Sequence, residues 1–278
     1  NKKPQSSTNT PIVTLFHGLE GSYKSPYIIG MMSALEKAGF SSVVMHFRGC
    51  SGKENLLPRS YHSGETGDAK AWIAHLQKCY PHAPLFAIGY SLGGNMLLKL
   101  ISEWGESSPL KASVSISAPM QLDICANQMN RGFSKIYQAH LVKHLNHSLT
   151  KKYQKHPMQS LLSFKEKDIK TIKTFWEFDN IYTAPIHGFA SAKDYYKRSS
   201  SKQFLKDIKQ KTLIIHALDD PFMTPEVIAK PEEISENIEM ELYPHGGHVG
   251  FISGSFFNPK YWLEKRIPHY FMQCQENS

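Results

Sequence analysis

A ten-residue stretch one third of the way along the chain constrains its fold more than any other. The stretch, AIGYSLGGNM, has the form Gly-x-Ser-x-Gly, with Gly89, Ser91 and Gly93 at the fixed positions. An apolar run, PLFAIGY, precedes the serine, and a run with helical spacing, LGGNMLLKLISEW, follows it. A strand that turns sharply into a helix is the context this motif requires, because the glycines let the two elements approach closely. Ser91 is therefore either an activated nucleophile or a serine in an ordinary tight turn.

Short β-rich runs alternate with longer helical patterns over most of the 278 residues. Most of these runs are apolar on both faces, as parallel strands are when helices cover both sides of their sheet. The alternation predicts an α/β fold with a mostly parallel, doubly wound sheet and right-handed crossovers, in one domain over residues 1–278. Six strands are few for such a sheet, and we expect an antiparallel pair upstream of Asn1. The predicted strands are PIVTLF, SSVVMHF, LFAIGY, ASVSIS, TLIIHA and IEMELY.

The alternation breaks after Pro119. Residues 120–183 contain amphipathic helical stretches, GFSKIYQAHLVKHLNHSL and KEKDIKTIKTFWEF, but no clear strand. The sheet resumes at TLIIHA after one more helical pattern, SAKDYYKRSS. Loops at the carboxyl ends of parallel strands carry binding and catalytic groups in such folds. We therefore predict that residues 120–183, called the inserted segment below, form an α-helical lid over the carboxyl ends of the strands.

The net charge of +8 is concentrated in the inserted segment. Between Met129 and Phe175 there are ten Lys or Arg residues and two acidic residues, whereas the rest of the chain has 22 of each sign. One interpretation is a solvated amphipathic lid, with Lys and His outward and Leu, Ile, Tyr and Phe inward. The other is attraction to anionic substrates or to an anionic membrane surface, which Lys-rich amphipathic helices bind. No nucleic-acid motif accompanies the charge, so no nucleic-acid partner is expected.

The remaining composition is that of a globular protein, with 41% hydrophobic and 12% aromatic residues. No apolar run approaches the ~20 residues that a membrane-spanning helix needs, and no signal peptide is recognisable. The cysteines are widely spaced and form no Cys-x-x-Cys pair, which is typical of free thiols in a reducing compartment. A cytoplasmic location is predicted on this basis. The cysteines are Cys50, Cys79, Cys125 and Cys274.

A serine hydroxyl needs a base to accept its proton, and the base needs a carboxylate to orient it. In serine hydrolases built on doubly wound sheets, these groups follow in the order Ser, Asp or Glu, His. The chain offers Asp219 and Asp220 after one predicted strand, and His245 and His248 after the next. Parallel strands end at the same edge of a sheet, so both loops fall at the edge that carries Ser91. We assign Asp220 and His248 to the triad, and we expect Asp219 to brace the turn and His245 to support its loop.

Attack on an ester also creates an oxyanion, which backbone N–H groups can stabilise. The residue after the nucleophile, Leu92, supplies one of them. The second comes from a loop after an earlier strand, and the sequence TLFHGLEGS places Leu19 there. This chemistry requires no cofactor and no metal. A metal site built from His62, Glu65 and Asp68 is the weaker interpretation, because the two acids suit the start of a helix.

Six longer motifs extend this set: FHGLEGSYKSPY, VVMHFRGCSG, YHSGETGDA, GYSLGGNML, IIHALDDPFM and HGGHVGFI. Together they resemble the bacterial YheT-like hydrolases, relatives of the eukaryotic monoacylglycerol-lipase-like and phospholipase-like α/β-hydrolase-domain proteins. The resemblance runs from Pro11 to Pro268 and implies an α/β-hydrolase fold with Ser91 as nucleophile, Asp220 as acid and His248 as base. It also implies a carboxylic ester hydrolase that acts on short or medium acyl chains. Family members carry additional upstream residues that include the first strands.

The expected function is therefore hydrolysis of a small-molecule or lipid-like carboxylic ester through an acyl-enzyme. Two alternatives stay open at this point. A thioesterase or an acyltransferase would use the same triad, because fold and triad do not select the acyl substrate. A scaffold that docks on an anionic membrane or on a partner through the basic lid would need no catalysis.

Overall fold

The structure, a computed structural model, describes residues 9–255 and 257–276. Its central sheet has six strands: β1 (Ile12–Phe16), β2 (Ser41–Met45), β3 (Leu85–Tyr90), β4 (Leu110–Ile116), β5 (Lys211–Ala217) and β6 (Ile238–Tyr243). Their order across the sheet is β2-β1-β3-β4-β5-β6, and every neighbouring pair is parallel. The six strands coincide with the six predicted runs, which confirms the parallel, doubly wound sheet. The carboxyl ends of all six therefore meet at one edge.

Helices cover both faces of this sheet. Alternate residues of the strands point to opposite faces, so the two buried clusters, one around Phe86 and the other around Ala87, lie on opposite sides. The helices of the described chain are α1 (Pro26–Lys37), α2 (Gly67–Cys79), α3 (Leu92–Trp104), α4 (Leu122–Gln128), α5 (Ser134–Lys155), α6 (Met158–Leu161), α7 (Phe175–Phe178), α8 (Ala184–Ile186), α9 (Ala192–Ser199) and α10 (Leu263–Glu276). α1 and α10 pack around Phe86, and α2 and α3 pack around Ala87.

One predicted helix differs in extent from the sequence pattern. The stretch KEKDIKTIKTFWEF is not one helix, because a 3₁₀ turn at Glu166–Thr171 ends before α7 begins. Thr174 caps α7 by accepting the backbone N–H of Glu177 at 3.2 Å. A capping residue inside an amphipathic pattern starts a new helix, since its own backbone is extended.

The inserted segment folds around a small core of its own. α4 to α7 lie within residues 120–183, and α8 and α9 follow before β5. No strand occurs between β4 and β5 in the residues that the structure describes. Val142 and Leu149 of α5 pack with Ile169, Phe178 and Tyr182 in a cluster separate from the two that cover the sheet. The absence of a strand agrees with the sequence pattern.

The faces of α5 differ from the expected arrangement of Lys and His outward and large apolar residues inward. Phe133, which precedes the helix, and Ile136 and Tyr137 in its first turns are 66%, 63% and 45% exposed. Lys152 near its end is instead buried. The apolar stripe predicted as inward therefore points partly to solvent. No helix of the described chain, α5 included, is long and apolar enough to cross a membrane.

The carboxyl-terminal elements were not predicted from the sequence. β7 (Ile252–Ser255) and β8 (Asn258–Tyr261) form an antiparallel hairpin, and α10 follows it. Both hairpin strands are exposed along their whole length. Exposed strands carry no alternation of apolar and polar residues, so period-2 patterning could not reveal them.

Candidate active site

Ser91 occupies the turn between β3 and α3. Its φ is 50° and its ψ is −118°, a conformation that residues other than glycine rarely adopt. Its backbone N–H donates to the carbonyl of Ile116 at 2.8 Å, which ties the turn to β4. A Cβ at Gly93 would lie 2.5 Å from the carbonyl oxygen of Phe16, and a Cβ at Gly89 would lie 2.5 Å from that of Gly93. Close backbone approach therefore requires both glycines, and the serine sits in a strained turn.

Three side chains singled out from the sequence meet at this turn. His248 Nε2 lies 2.9 Å from Ser91 Oγ, and His248 Nδ1 lies 2.8 Å from Asp220 Oδ2. The side chain of Asp220 is 1% exposed and that of His248 is 15% exposed. The other oxygen of Asp220 accepts the backbone N–H of Phe222 at 3.0 Å. Such a line can move the serine proton onto the imidazole while a buried carboxylate orients the ring.

The neighbouring Asp219 and His245 lie outside this line. Asp219 Oδ1 accepts the backbone N–H groups of Gly246 and Gly247 at 2.9 and 2.8 Å. Its second oxygen lies 3.3 Å from Nδ1 of His245, whose side chain is 90% exposed. The hydrogen bonds from Gly247 and Gly246 lower the pKa of Asp219 below its usual value. Asp219 thus ties the loop after β5 to the loop that carries His248.

An aromatic stack packs against the imidazole. The ring centroid of Phe222 lies 4.4 Å from that of His248, and the ring of Tyr137 on α5 lies 5.0 Å from Phe222. No role at the active site was predicted from the sequence for Phe222 or Tyr137. Phe222 stands two residues after Asp220, which is the only local signal that could have identified it. The stack connects α5 to the triad line.

The loop after β1 lies against the same turn. A Cβ at Gly18 would lie 3.4 Å from the Cβ of Ser91, so the two backbones are close. The Gly18 N–H donates to Tyr27 Oη at 3.0 Å, which holds the loop to α1. Leu19 follows Gly18, and Leu92 is the first residue of α3, where backbone N–H groups have no partner within the helix. Both leucines line the cavity that contains Ser91.

Asn95, one helical turn after the serine, is fully buried, and both its side-chain nitrogen and its side-chain oxygen make hydrogen bonds. Its backbone N–H donates to the carbonyl of Ser91 at 3.0 Å. Its side-chain amide donates to the carbonyl of Ser63 at 3.0 Å and to that of Ser199 at 2.8 Å, and its oxygen accepts the Ser201 N–H at 3.0 Å. Asn95 therefore joins the turn to the loop before α2 and to the end of α9.

A cavity of about 630 Å³ opens over the turn. Its floor contains Ser91, Leu92, Leu19 and His248. Helices α4, α5, α7 and α9 supply most of its apolar wall. The apolar and aromatic residues of this wall include Leu122, Cys125, Ala126, Met129, Tyr137, Leu141, Leu145, Leu149, Phe175, Phe178, Tyr195 and Tyr196.

Most of the cations near the far end of α5 are already engaged. Burial lowers the pKa of Lys152 to about 8, and its ammonium donates to two oxygens of the loop before α2. Lys155 pairs with Glu54 from the same loop. Arg48 pairs with Asp68 at the start of α2. The charge of the inserted segment is thus partly neutralised on this side.

One cluster in the described chain resembles a set of metal ligands. Ligand atoms of His62, Glu65 and His187 lie within 4.8 Å of one another. Arg59 donates to Glu65 Oε2 at 3.1 Å, and His62 Nδ1 accepts the Gly64 N–H at 3.2 Å, which leaves the ring proton on Nε2, the nitrogen that lies 3.9 Å from Glu65 Oε2. Both contacts oppose a bound cation. Asp68, the third group considered from the sequence, is not a member of the cluster.

Buried imidazoles should make the stability of the fold depend on pH. Burial lowers the pKa of His17 to about 4, of His62 to about 3 and of His187 to about 4. These rings stay neutral in the folded chain, whereas the unfolded chain binds protons below about pH 6.5. We expect the free energy of unfolding to fall as the pH drops from about 6.5 to 4, by up to about 1.4 kcal/mol per pH unit for each group. Asp179, whose pKa is raised to about 6 by burial, opposes part of this loss.

Denaturant unfolding between pH 4.5 and 7 measures this dependence. His62→Gln should reduce the slope of stability against pH, because one buried imidazole is removed. His82→Gln changes an exposed side chain and serves as the matched control. A stability that is flat over this range, or equal slopes for wild type and His62→Gln, would contradict the expectation.

Known proteins resemble the chain over most of its length. Residues 11–255 match the family described as the alpha/beta hydrolase fold. The chain is 46% identical over 268 residues to YheT of Escherichia coli (strain K12), whose name proposes that it is an esterase; the match covers 96% of this chain and 78% of that protein. It is 30% identical over 250 residues to Phospholipase ABHD3 of Mus musculus, covering 89% of this chain and 60% of the mouse protein. The chain thus spans less than two thirds of that relative.

A solved structure agrees with these sequence matches. The esterase Pf2001 of Pyrococcus furiosus matches with a TM-score of 0.61 over 96% of this chain and 82% of that one. The two sequences are 17% identical. At that identity the likeness concerns the fold alone.

Proposed function

The chain belongs to the α/β-hydrolase fold family as an esterase-type carboxylic ester hydrolase, and from this premise we propose that it cleaves esters of short or medium acyl chains through Ser91, His248 and Asp220. The observation that carries the proposal is the line of two hydrogen bonds, 2.9 and 2.8 Å long, that joins these side chains at the floor of the cavity. A strained turn at the serine and a buried carboxylate behind the histidine support it further.

The proposed reaction has two halves. Ser91 Oγ attacks the acyl carbonyl while His248 Nε2 accepts its proton, and the carbonyl electrons move onto oxygen. Backbone N–H groups of Leu19 and Leu92 stabilise that oxyanion, and Asp220 stabilises the imidazolium. The intermediate collapses as His248 protonates the leaving alcohol, which leaves an acyl-enzyme. Water then attacks by the same route and frees the acid.

The walls of the cavity support the proposed substrate class. Apolar and aromatic side chains of the inserted segment form most of the wall, and they would exclude water from a bound acyl chain. A volume of about 630 Å³ is in the range of sites for small lipid-like molecules. The inserted segment, residues 120–183, acts in this proposal as a lid whose inner face receives the acyl group.

A fluorophosphonate probe tests the proposal directly, because it reacts much faster with an activated serine than with an ordinary one. Wild-type protein should gain the mass of one adduct, and peptide mapping should locate it on the peptide that contains Ser91. Heat-denatured protein is the control for non-specific labelling. If folded wild type forms no adduct, or forms one on another residue, the mechanism is wrong.

Thioester hydrolysis and acyl transfer stay open as variants of this function, since they use the same triad. Matched oxygen esters and thioesters of the same acyl chain separate the first variant. Product analysis in the presence of an added alcohol separates the second, because an acyltransferase forms a new ester where a hydrolase forms only the acid. The proposal expects the oxygen ester to be preferred and the acid to be the main product.

We also propose that the start of α5 meets anionic membrane surfaces, where lipid-like esters are found. Phe133 and Ile136 are more than 60% exposed, and Arg131 and Lys135 flank them. Tyr137 of the same turn is both exposed and part of the cavity wall. Exposed apolar side chains beside cations are the features by which interfacial helices bind anionic lipid.

Vesicle co-sedimentation tests this surface. Binding to vesicles that contain phosphatidylglycerol should exceed binding to phosphatidylcholine vesicles and should weaken as salt is raised. The double variant Phe133→Ser, Ile136→Ser should bind less. Leu56→Ser, at an apolar residue that is 92% exposed outside the inserted segment, is the matched control. Equal binding to both vesicle types would reject the proposal, whereas strong binding without esterase activity would favour the scaffold alternative.

A cytoplasmic location stays a prediction. Cys50, Cys79 and Cys125 form no disulfide in the described chain, as expected in a reducing compartment. Fractionation of cells that produce the protein from its natural gene would test it.

A further inference from the structure

Glu20, the residue after the proposed oxyanion donor Leu19, has a strained backbone. Its φ is 53°, in the left-handed region that favours glycine. Strain of this kind persists only where the surrounding structure holds it, and it concentrates at functional sites. The contacts of Glu20 therefore decide how the loop after β1 is presented to Ser91.

Tyr61, in the loop before α2, makes two hydrogen bonds to Glu20. Its hydroxyl accepts the Glu20 backbone N–H at 2.8 Å and donates to Glu20 Oε1 at 2.9 Å. Burial raises the pKa of Tyr61 well above its usual value, so the hydroxyl keeps the proton that it donates. Because both hydrogen bonds involve the Tyr61 hydroxyl, this one group fixes the backbone and the side chain of Glu20.

The ring of Tyr61 packs on Phe47, which also supports the loop on the amino-terminal side of Leu19. It stacks on Phe47 with a centroid distance of 5.1 Å and an interplanar angle of 13°. The Phe47 N–H donates to His17 Nε2 at 3.2 Å, and His17 Nδ1–H donates to the Gly18 carbonyl at 2.7 Å. The loop is thus held on both sides of Leu19 by one connected set of contacts.

A third contact reaches the inserted segment. The Ser148 hydroxyl on α5 donates to Glu20 Oε2 at 3.2 Å. No cation pairs with Glu20 in the part of the chain that the structure describes. The Glu20 carboxylate therefore accepts hydrogen bonds from hydroxyl groups of two elements, the loop before α2 and helix α5. It connects both elements to the loop after β1.

We propose that Glu20 and Tyr61 are positioning residues that hold the Leu19 N–H at the oxyanion, and that Ser148 couples this loop to the position of α5. The proposal rests on the function proposed above and adds to it a link between the helix over the cavity and the oxyanion loop. Tyr61 and Glu20 act through Leu19, so their loss should weaken the transition state and leave substrate binding almost intact.

The two hydrogen bonds between the Tyr61 hydroxyl and Glu20 are called the clamp below. Tyr61→Phe tests the clamp, because it removes both hydrogen bonds and keeps the stacked ring. We expect kcat for a p-nitrophenyl ester to fall about tenfold with KM within about twofold, a part of the 10²–10³-fold that one oxyanion donor supplies. A trifluoromethyl ketone, which Ser91 converts to a tetrahedral oxyanion as His248 takes the proton, should bind about tenfold more weakly. Ser148→Ala should give a smaller loss, about threefold, in the same direction.

The control is Tyr153→Phe, which removes the hydroxyl of a tyrosine on α5 that is bonded at 2.5 Å to the Phe164 carbonyl and not to Glu20. It should keep wild-type kcat and inhibitor affinity. Glu20→Gly relieves the backbone strain and removes the carboxylate contacts to Tyr61 and Ser148, so it covers the case in which Tyr61→Phe fails to fold. The double variant Glu20→Gly, Tyr61→Phe should lose less than the product of the two single losses, since both single variants remove the bond between the Tyr61 hydroxyl and the Glu20 carboxylate.

Two outcomes separate this inference from the function on which it rests. If wild type forms the Ser91 adduct and Tyr61→Phe and Glu20→Gly match Tyr153→Phe in kcat and ketone affinity, the clamp is rejected and the enzyme proposal stands. If wild type forms no adduct, both are rejected. A shift in the pH profile of kcat without a loss at its maximum would also overturn the clamp, because it would show an effect on the His248 base.

Discussion

Ser91→Ala is expected to lower kcat for ester hydrolysis by at least about 10⁴-fold, which corresponds to about 5 kcal/mol of transition-state stabilisation. The proposed acyl-enzyme cannot form without the hydroxyl, and the remaining oxyanion groups can only assist slow attack by water. The substitution removes one oxygen that lies 2.9 Å from His248 Nε2. Initial rates on p-nitrophenyl butyrate, with enzyme concentrations high enough to detect the residual activity, measure the loss.

The fold is expected to survive this change, and the thermal midpoint is the control. Alanine tolerates the φ of 50° no worse than serine does, so the midpoint should move by only a few degrees. A variant that keeps its fold and loses turnover identifies Ser91 as the nucleophile. Turnover within about tenfold of wild type would place the nucleophile elsewhere, and the assignment of the whole triad would fail with it.

Asp220→Asn is expected to lower kcat by about 10³–10⁴-fold, the second largest effect. Asparagine keeps the size of the side chain, but it loses the negative charge that stabilises the imidazolium and favours the tautomer in which His248 Nδ1 carries the proton. Asp220 is nearly fully buried and lies 2.8 Å from that nitrogen. Little water reaches such a site, so solvent screens the charge of Asp220 only weakly.

Asp219→Asn provides the matched comparison, since the two acids are adjacent in the chain. Asp219 contacts Gly246, Gly247 and the exposed His245, so its loss should loosen the loop without removing a charge from the triad. We expect a loss of less than about tenfold. The assignment would be reversed if Asp219→Asn lost more activity than Asp220→Asn. The rates of fluorophosphonate labelling of the two variants give an independent measure of which aspartate contributes more to the reactivity of Ser91.

Local patterns predicted the sheet and the turn at Ser91, and the structure agrees. The six strands of the sheet were readable because each is an apolar run between helical patterns, and burial on both faces leaves that signature in any short window. The hairpin at Ile252–Tyr261 was not readable, because exposed strands leave no such signature.

The arrangement of the inserted segment could not be read in the same way. Periodicity shows that α5 is amphipathic, but it does not say which neighbour covers each part of its surface. Phe133 and Ile136 point to solvent because no other element of the described chain buries them, and Lys152 is buried because a loop offers it two oxygens. Partners of this kind come from distant parts of the chain.

The strand set, the glycine turn that strains Ser91, and the order in which serine, aspartate and histidine follow along the chain were all readable from the sequence alone. The first two depend on residues within one strand or one turn, and the third is the printed order of the residues. The tertiary structure was needed for the distance at which His248 meets a serine 157 positions away, and for the contact of Tyr61 with Glu20, 41 positions away. Contacts over such separations form when packing of the whole sheet has already offset the entropy of closing the loops between them, so no local pattern encodes them.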